Sequence, residues 1–495
     1  MPSNSQNPLV PEINRPEYFG NSDALISDLA WHSLEVQKLL PDKSVHSLVL
    51  EAAPGVRAKS SGNSVPVRSA EPAALEAAVL AKLQERLGRV LPPSAGAALL
   101  DNCRAVRPEK AEAYAATSAV WPGVFLQGMR GASNKSNPAN YFQIIGTLYA
   151  WGAPTGSADA HRAAKRILRA VLREVAGDPV AGVATAIASG VGAWAEGKPG
   201  AVGALRDIES HRSNLLAWCD SVDADTQVAI PEPFANQQRT PFIWMHRALT
   251  NLSSDAWREA LPSRRWADWL SCILRTGIGL GFLYEMRYFR QLGQALLSGK
   301  NWEEAQRALS YPMLPWFARG TATSERDVAG RIRQWVQGGD NVRRWLLSPR
   351  LSEELTSDGS AEATYQSVLR LIQGDERAQL EKALTAQSGG ANVKETINYA
   401  LQCRERFSAE ADLYSLLMRR GRYQIVDPAE EWVVVVAAMC CEKPGQPTTL
   451  GALRSALATI GIETTRDVLV AELERAGLSR SAHDADDALE ITPSF

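Results

Sequence analysis

The sequence predicts an all-α protein of several mainly helical domains that ends in a small α+β domain. At 495 residues the chain is longer than the size at which one hydrophobic core stops growing. Its hydrophobic fraction of 45% and charged fraction of 22% are those of a globular protein. Segments with helical spacing of apolar residues recur along the chain, whereas runs rich in β-branched residues are few. Of these runs, only residues 422–428 (RYQIVDP), bounded by Gly421 and Pro428, predict a strand.

Residues 1–71 are predicted to hold a flexible arm, a short helix and a linker. Residues 1–22 are polar and rich in proline, and they lack the apolar core of a secretory signal. Apolar positions between Asp23 and Leu40 favour one short helix, and residues 54–72 have the small, polar composition of a linker. The first globular domain is therefore expected to begin near residue 72.

Residues 72–235 are predicted to form a helical domain. Residues 73–88 combine strong helix formers with apolar residues on one face. Residues 157–176 begin with a serine suited to cap a helix and stop before Gly177, so they predict another helix.

Residues 236–425 are predicted to form a second helical domain that is basic and rich in tryptophan. Nine of the fourteen tryptophans lie between positions 218 and 345, and residues 255–350 hold fifteen Lys/Arg against nine Asp/Glu. Trp266 and Trp269 are three residues apart, which is the spacing of one helix face. The tryptophans are therefore interpreted mainly as core residues.

The arginines of this domain are candidates for nucleic-acid contact. They form two groups, which are Arg331, Arg333, Arg343 and Arg344, and then Arg419, Arg420 and Arg422. Arginine forks match phosphate oxygens and aromatic rings stack on bases, so the mixture suits a groove for DNA or RNA. The alternative is that these arginines lie on solvated faces and pair with acidic residues of the same chain.

Residues 426–495 predict three helices followed by two short strands around a polar loop. The first helix begins near Pro428, the second ends at Gly461 and the third ends at Gly477, because proline is favoured at helix starts and glycine at their ends. The third helix and its junction have the sequence LVAELERAGL. Over about 68 residues, 428–495, this order and junction resemble a winged-helix domain.

The resemblance implies two uses for this domain. Winged-helix domains often place their third helix in the major groove of DNA, which makes Arg466 and Arg475 candidate contacts. However, residues 423–495 hold five Lys/Arg against twelve Asp/Glu. Affinity for DNA depends on neutralising phosphates, so this acidic composition favours docking onto a protein instead.

The sequence carries no motif that predicts a catalytic residue, a cofactor or a metal site. The six cysteines include no CxxC pair, and the six histidines include no HxH or HxxxH pair. The glycine-rich segments 277–281 and 123–131 lack the other letters of a dinucleotide or phosphate loop, so they are interpreted as helix breaks or close-packing points. The segment HDADD at 483–487 lacks the glutamate of a calcium loop.

Location is predicted from cysteine usage and hydropathy. Scattered cysteines in a long chain favour a reducing compartment, so we expect a cytoplasmic protein. The most apolar stretch, 266–284, is interrupted by Asp268, Arg275 and three glycines, so we expect no membrane span.

These observations lead to three functional hypotheses. The first is a non-catalytic scaffold or adaptor that docks onto a protein partner, by fold-level analogy within a bacterial multi-protein system acting on nucleic acid, such as a phage-defence complex. The second is direct binding of DNA or RNA through residues 255–350 and the C-terminal domain. The third is an enzyme whose site is assembled from dispersed residues, although the lack of a motif leans against it.

Overall fold

The computed structural model of the chain is mainly helical, which confirms the predicted predominance of helices. The residues that it describes are 7–11, 13, 81, 138–153, 157–159, 227–235, 237–310, 312–354, 359–402, 412–479 and 487–492. Most of the predicted domain at 72–235, and the segments 123–131 and 483–486, lie outside these residues.

The described helices are numbered here in chain order. The first seven described helices are α1 (Pro138–Trp151), α2 (Glu232–Ala235), α3 (Pro241–Leu252), α4 (Asp255–Ala260), α5 (Ser263–Leu297), α6 (Trp302–Arg307) and α7 (Ala329–Leu346). They continue as α8 (Pro349–Glu354), α9 (Ala361–Leu371), α10 (Gly374–Thr385), α11 (Ala391–Leu401), α12 (Glu430–Ala438), α13 (Leu450–Thr459) and α14 (Arg466–Arg475). A turn of 3₁₀ helix follows α6 at Ala308–Ser310.

The described strands are short and pair two by two. They are β1 (Ser157–Asp159), β2 (Gln227–Ala229), β3 (Leu314–Trp316), β4 (Leu417–Arg420), β5 (Tyr423–Val426), β6 (Thr448–Thr449), β7 (Ile462–Thr464) and β8 (Glu490–Ile491). Pairing is antiparallel for β1–β2, β4–β5 and β6–β8, and parallel for β3–β7. The predicted strand within RYQIVDP is confirmed as β5, whereas the predicted helix start at Ser157 is wrong because that serine begins β1.

Helix α5 is the centre of the fold. It spans 35 residues, and α1, α3, α7, α10, α11 and α12 all pack against it. Trp266 and Trp269 are both fully buried, and the helix stays buried on every side through its middle, as expected for a helix at the centre of a core. Its buried Arg275 is neutralised by Asp412 through a bidentate ion pair.

Helix α5 runs without a break through the glycine-rich segment 277–281, so this segment is a close-packing point and not a helix break. A Cβ atom built on Gly279 would lie 2.5 Å from Cγ of Leu401, so α11 reaches the backbone of α5 at this point. Among the described residues, no helix is long and apolar enough to cross a membrane.

The tryptophans of the basic region are mainly core residues, as predicted. Six of those described are buried, namely Trp244, Trp257, Trp266, Trp269, Trp316 and Trp345. Trp302 and Trp335 are half-buried at the edge of the same core, and the guanidinium of Arg287 lies over the ring of Trp335 at 5.7 Å.

The N-terminal segment contributes to this core too. Leu9, Val10 and Ile13 are buried. The hydroxyl of Tyr288 on α5 donates a hydrogen bond to the carbonyl of Leu9 at 2.9 Å, and the side chain of Asn7 donates to the carbonyl of Leu346 at 3.2 Å. Residues that the sequence places in an arm thus lie against α5 and α7.

The C-terminal helices pack onto the central ones. Nε1 of Trp432 on α12 donates to Oγ1 of Thr276 on α5 at 2.9 Å. Nδ2 of Asn251 donates to the carbonyls of Met439 and Cys441 at 3.2 and 3.0 Å. The predicted boundaries at 71, 235 and 425 stay predictions.

Candidate nucleic-acid interface

Strands β4 and β5 form a hairpin whose tip carries three exposed arginines. Arg420 and Tyr423 are the last paired residues, so the turn consists of Gly421 and Arg422. Gly421 has φ of 60°, a left-handed conformation that glycine adopts at little cost and that two-residue hairpin turns require. Arg419, Arg420 and Arg422 are all exposed around this turn.

Each of these arginines has a local contact that leaves most of its N–H groups available. Nε of Arg419 donates to the carbonyl of Gly421 at 3.2 Å, and Arg420 pairs with Asp427 at 3.3 Å. Arg422 lies over the ring of Tyr423 and donates to its hydroxyl at 2.8 Å. This hydrogen bond raises the pKa of Arg422. A guanidinium has five N–H donors, so none of the three is saturated by these contacts.

The start of α7 lies next to the hairpin. Asp327 and Ile425 form an antiparallel bridge, and the amide of Val328 donates to the carbonyl of Gln424 at 2.8 Å. Oδ1 of Asp327 accepts from the amides of Ala329 and Gln424 at 3.1 and 2.9 Å, so this carboxylate is used to join the two elements.

Two more of the predicted arginines lie in the first turns of α7. Arg331 and Arg333 are exposed. Arg331 donates to the carbonyl of Met313 at 3.4 Å, and Arg333 makes no hydrogen bond or ion pair with the described part of the chain. The hairpin and the first turns of the helix that begins beside it thus carry five of the nine predicted contacts. These five, Arg331, Arg333, Arg419, Arg420 and Arg422, are called the arginine patch below.

A buried ion cluster lies beneath the arginine patch. Asp427 is 1% exposed and accepts Nη2 of Arg319 at 2.9 Å, besides its pair with Arg420. Arg326 is buried, and its guanidinium lies 3.9 Å from Asp427. Burial lowers the pKa of Arg326, and the charge of Asp427 opposes that shift. Arg319 also donates to Glu472 of α14 at 2.8 Å, so the cluster joins the hairpin to the C-terminal helices.

The other predicted arginines lie elsewhere. Arg343 and Arg344 are at the opposite end of α7, about 18 Å along the helix from Arg331 at 1.5 Å per residue. Arg344 pairs with Asp340 one turn earlier. Arg343 and Arg344 are therefore not part of the arginine patch, and the predicted groove containing Arg331, Arg333, Arg343 and Arg344 stays a prediction.

The two arginines of α14 are held by carboxylates of the same chain. Arg466 donates to both oxygens of Asp487 at 3.2 and 3.3 Å. Arg475 pairs with Glu472 and Glu430. The outward positions of α14 are instead Asp467, Ala471 and Glu474, which are exposed and lie on one side of the helix at spacings of four and three residues. We call these three residues the acidic face of α14.

Sequence reasoning missed the residues that organise the patch. Arg319, Arg326, Asp427 and Glu472 come from segments up to 153 residues apart, so no spacing rule brings them together. Their charge was visible in the sequence, but their burial was not, because buried charges depend on partners supplied by the tertiary fold.

Two further kinds of site, a reactive thiol and a metal centre, concern the described cysteines, histidines and acidic residues. Burial raises the pKa of the Cys272 thiol, and it raises that of Cys440 to about 12, so both thiols stay protonated near neutral pH. Within the described ranges, no cluster of three or more His, Cys, Asp or Glu side chains is arranged to hold a metal ion. Comparison of the chain with protein-family models, curated proteins and solved structures gives no match.

Proposed function

We propose that this chain is a non-catalytic adaptor that docks onto a basic surface of a protein partner through its C-terminal module. The observation that carries this proposal is the acidic face of α14. Asp467 and Glu474 point outward there, while both arginines of the helix are held by carboxylates of the same chain.

The proposed module is winged-helix-like. The order of helix α12, strand β6, helices α13 and α14 and strand β8 supports this, since β6 pairs antiparallel with β8 across the two intervening helices. One departure is β7, which lies between α13 and α14 and pairs with β3 outside the module. Helix α14 is the third helix in this order, the position that winged-helix proteins use for recognition.

The charge of α14 favours a protein over DNA on this face. A phosphate backbone approaching Asp467 and Glu474 would meet like charge, and arginines held by carboxylates would have to leave them first. A lysine- or arginine-rich protein surface meets complementary charge, which raises association rates and selects partners. We extend the proposal to a multi-protein system that acts on nucleic acid, such as a phage-defence complex.

The test is carbodiimide cross-linking, which joins carboxylates to neighbouring lysines, of the tagged full-length chain in the cells that encode it. We expect mass spectrometry to find Asp467 or Glu474 linked to lysines of one recurring protein. The double variant Asp467→Lys, Glu474→Lys is expected to lose that protein, because it reverses the charge of the face.

A matched control reverses two exposed acids elsewhere. The variant Glu395→Lys, Glu442→Lys has the same change in net charge on α11 and after α12. It is expected to retain the partner. Equal recovery of the partner with both double variants, or no recurring cross-link from the acidic face, would rule out this docking surface.

A further inference from the structure

A second binding site follows from the arginine patch, independently of the acidic face of α14. Residues 313–334 and 417–427 hold seven arginines, no lysine and three acidic residues. Of those acids, Asp427 is buried in the ion cluster and Asp327 accepts two backbone amides. Glu325 is the exposed one. The surface of these segments is therefore dominated by guanidinium groups.

The hairpin spreads these groups around a narrow ridge. Successive side chains of a strand point to opposite faces, so Arg419 and Arg420 leave the ribbon in opposite directions while Arg422 extends from the turn. A two-stranded ribbon of this kind is narrow enough to enter the major groove of duplex DNA, or to follow a single strand. Arg333 is exposed in the first turns of α7, whose start adjoins the hairpin.

The exclusive use of arginine points to the chemistry of the ligand. A guanidinium presents paired N–H groups that match two oxygens of a phosphate, and it is less strongly hydrated than the ammonium of lysine. Several unsaturated guanidiniums on one ridge suit a ligand with repeated phosphates along a line. We propose that the arginine patch binds the phosphate backbone of nucleic acid.

The test is fluorescence anisotropy of the purified full-length protein with labelled duplex DNA, single-stranded DNA and duplex RNA of equal length, over roughly 50 to 200 mM salt. The test variant is Arg333→Ala, Arg419→Ala, Arg422→Ala, which leaves Arg420 and its pair with Asp427 intact. We expect at least a tenfold loss of affinity and a salt slope that falls by about three, because each lost phosphate contact removes about one unit.

A matched control removes three exposed arginines of α3, α6 and α9, as Arg247→Ala, Arg307→Ala, Arg370→Ala. Both triple variants lower the net charge equally, so a difference between them reports on the position of the arginines. The control is expected to bind like the parent because its three arginines lie outside the arginine patch. Unchanged thermal unfolding of each variant shows that it is folded.

The outcomes separate the proposal from its alternatives. A preference for any one of the three nucleic acids supports the site and identifies the form that it takes. Equal loss in both triple variants means a diffuse charge effect and overturns it. So does polyglutamate that binds as tightly as nucleic acid, or an absence of binding at low salt. None of these results depends on the acidic face of α14, so the two proposals fail separately.

Discussion

The arginines of the arginine patch and those of α14 differ in what the fold places beside them. Arg466 and Arg475 each face carboxylates of the same chain. Arg333 and Arg419 have no acidic partner among the described residues. A basic residue in a sequence thus indicates charge but not availability, which depends on whether tertiary contacts supply a carboxylate.

The two regions are joined through the buried ion cluster. Arg319 contacts Asp427 at the end of β5 and Glu472 on α14, so one guanidinium holds both elements. Glu472 in turn pairs with Arg475. Glu472, which holds Arg475, and Asp427, which anchors the hairpin, therefore belong to one network. Disturbing its centre is expected to affect both regions.

The largest expected effect comes from Asp427→Ala. This change leaves Arg319, Arg326 and Arg420 close together without their shared carboxylate, and Arg326 is buried. Removing one partner of a buried ion pair costs about 3–5 kcal/mol, because the remaining charge is desolvated without compensation. Urea unfolding measures the loss of free energy.

The control for that variant is Glu442→Ala, which removes an exposed acid that has no ion pair within the described residues. We expect its free energy of unfolding to change by less than about 0.5 kcal/mol. A loss for Asp427→Ala as small as that of the control would mean that the cluster does not anchor the hairpin.

The variant Gly421→Val tests the geometry of the arginine patch rather than its charge. Its expected effect is smaller than that of Asp427→Ala. A Cβ at this position meets no atom within 4 Å, so the cost lies in the backbone, whose φ is 60°. A left-handed conformation costs a non-glycine residue about 1–2 kcal/mol. All arginines remain, yet we expect several-fold weaker nucleic-acid binding because the turn that spreads them is distorted.

Gly421→Asn is the companion variant, since asparagine tolerates left-handed backbone. Its stability to unfolding and its affinity for nucleic acid are both expected to be close to those of the parent. If Gly421→Val binds as tightly as Gly421→Asn, the ribbon geometry is irrelevant and total charge alone determines binding.

The parts of the fold that could be predicted depend on local patterns. The spacing of Trp266 and Trp269 indicated a buried helix, and the β-branched run of β5 indicated a strand. Either Thr448 or Thr449 was expected to cap the second C-terminal helix, and the side chain of Thr449 accepts from the amide of Ala452 at 3.2 Å. Each of these signals depends on residues that are only a few positions apart in the sequence, where intrinsic propensity and capping act.

The parts that could not be predicted depend on distant pairing. Ser157 has the features of a helix cap, but β1 pairs with β2 about seventy residues later, and that pairing overrides the local preference. Sequence spacing also could not show that the start of α7, which carries Arg331 and Arg333 in its first turns, adjoins the β4–β5 hairpin.

The variant with the smallest expected effect, Asp487→Asn, tests how firmly Arg466 of α14 is held. A hydrogen bond from Arg454 holds the pKa of Asp487 below its ordinary value of 3.8, and Arg466 adds to the shift. A carboxyl with a lowered folded pKa contributes stability above its unfolded pKa and loses it as pH falls through the folded value. Asp487→Asn is therefore expected to lower Tm slightly at pH 7, and the difference from the parent is expected to vanish as the pH falls below 3.8.

The reason for choosing asparagine is that it keeps a hydrogen-bond acceptor for Arg454 and Arg466 while removing the charge. Glu442→Gln, an exposed carboxylate with no ion pair among the described residues, corrects for the general effect of one lost acid on Tm. Binding of duplex DNA by the same Asp487→Asn protein tests why the arginine patch and α14 differ. If loss of the ion pair of Arg466 makes α14 bind duplex DNA, then the carboxylate partners account for the difference in nucleic-acid binding between the two regions. If binding stays confined to the arginine patch, the acidic face of α14 repels the backbone even with Arg466 released.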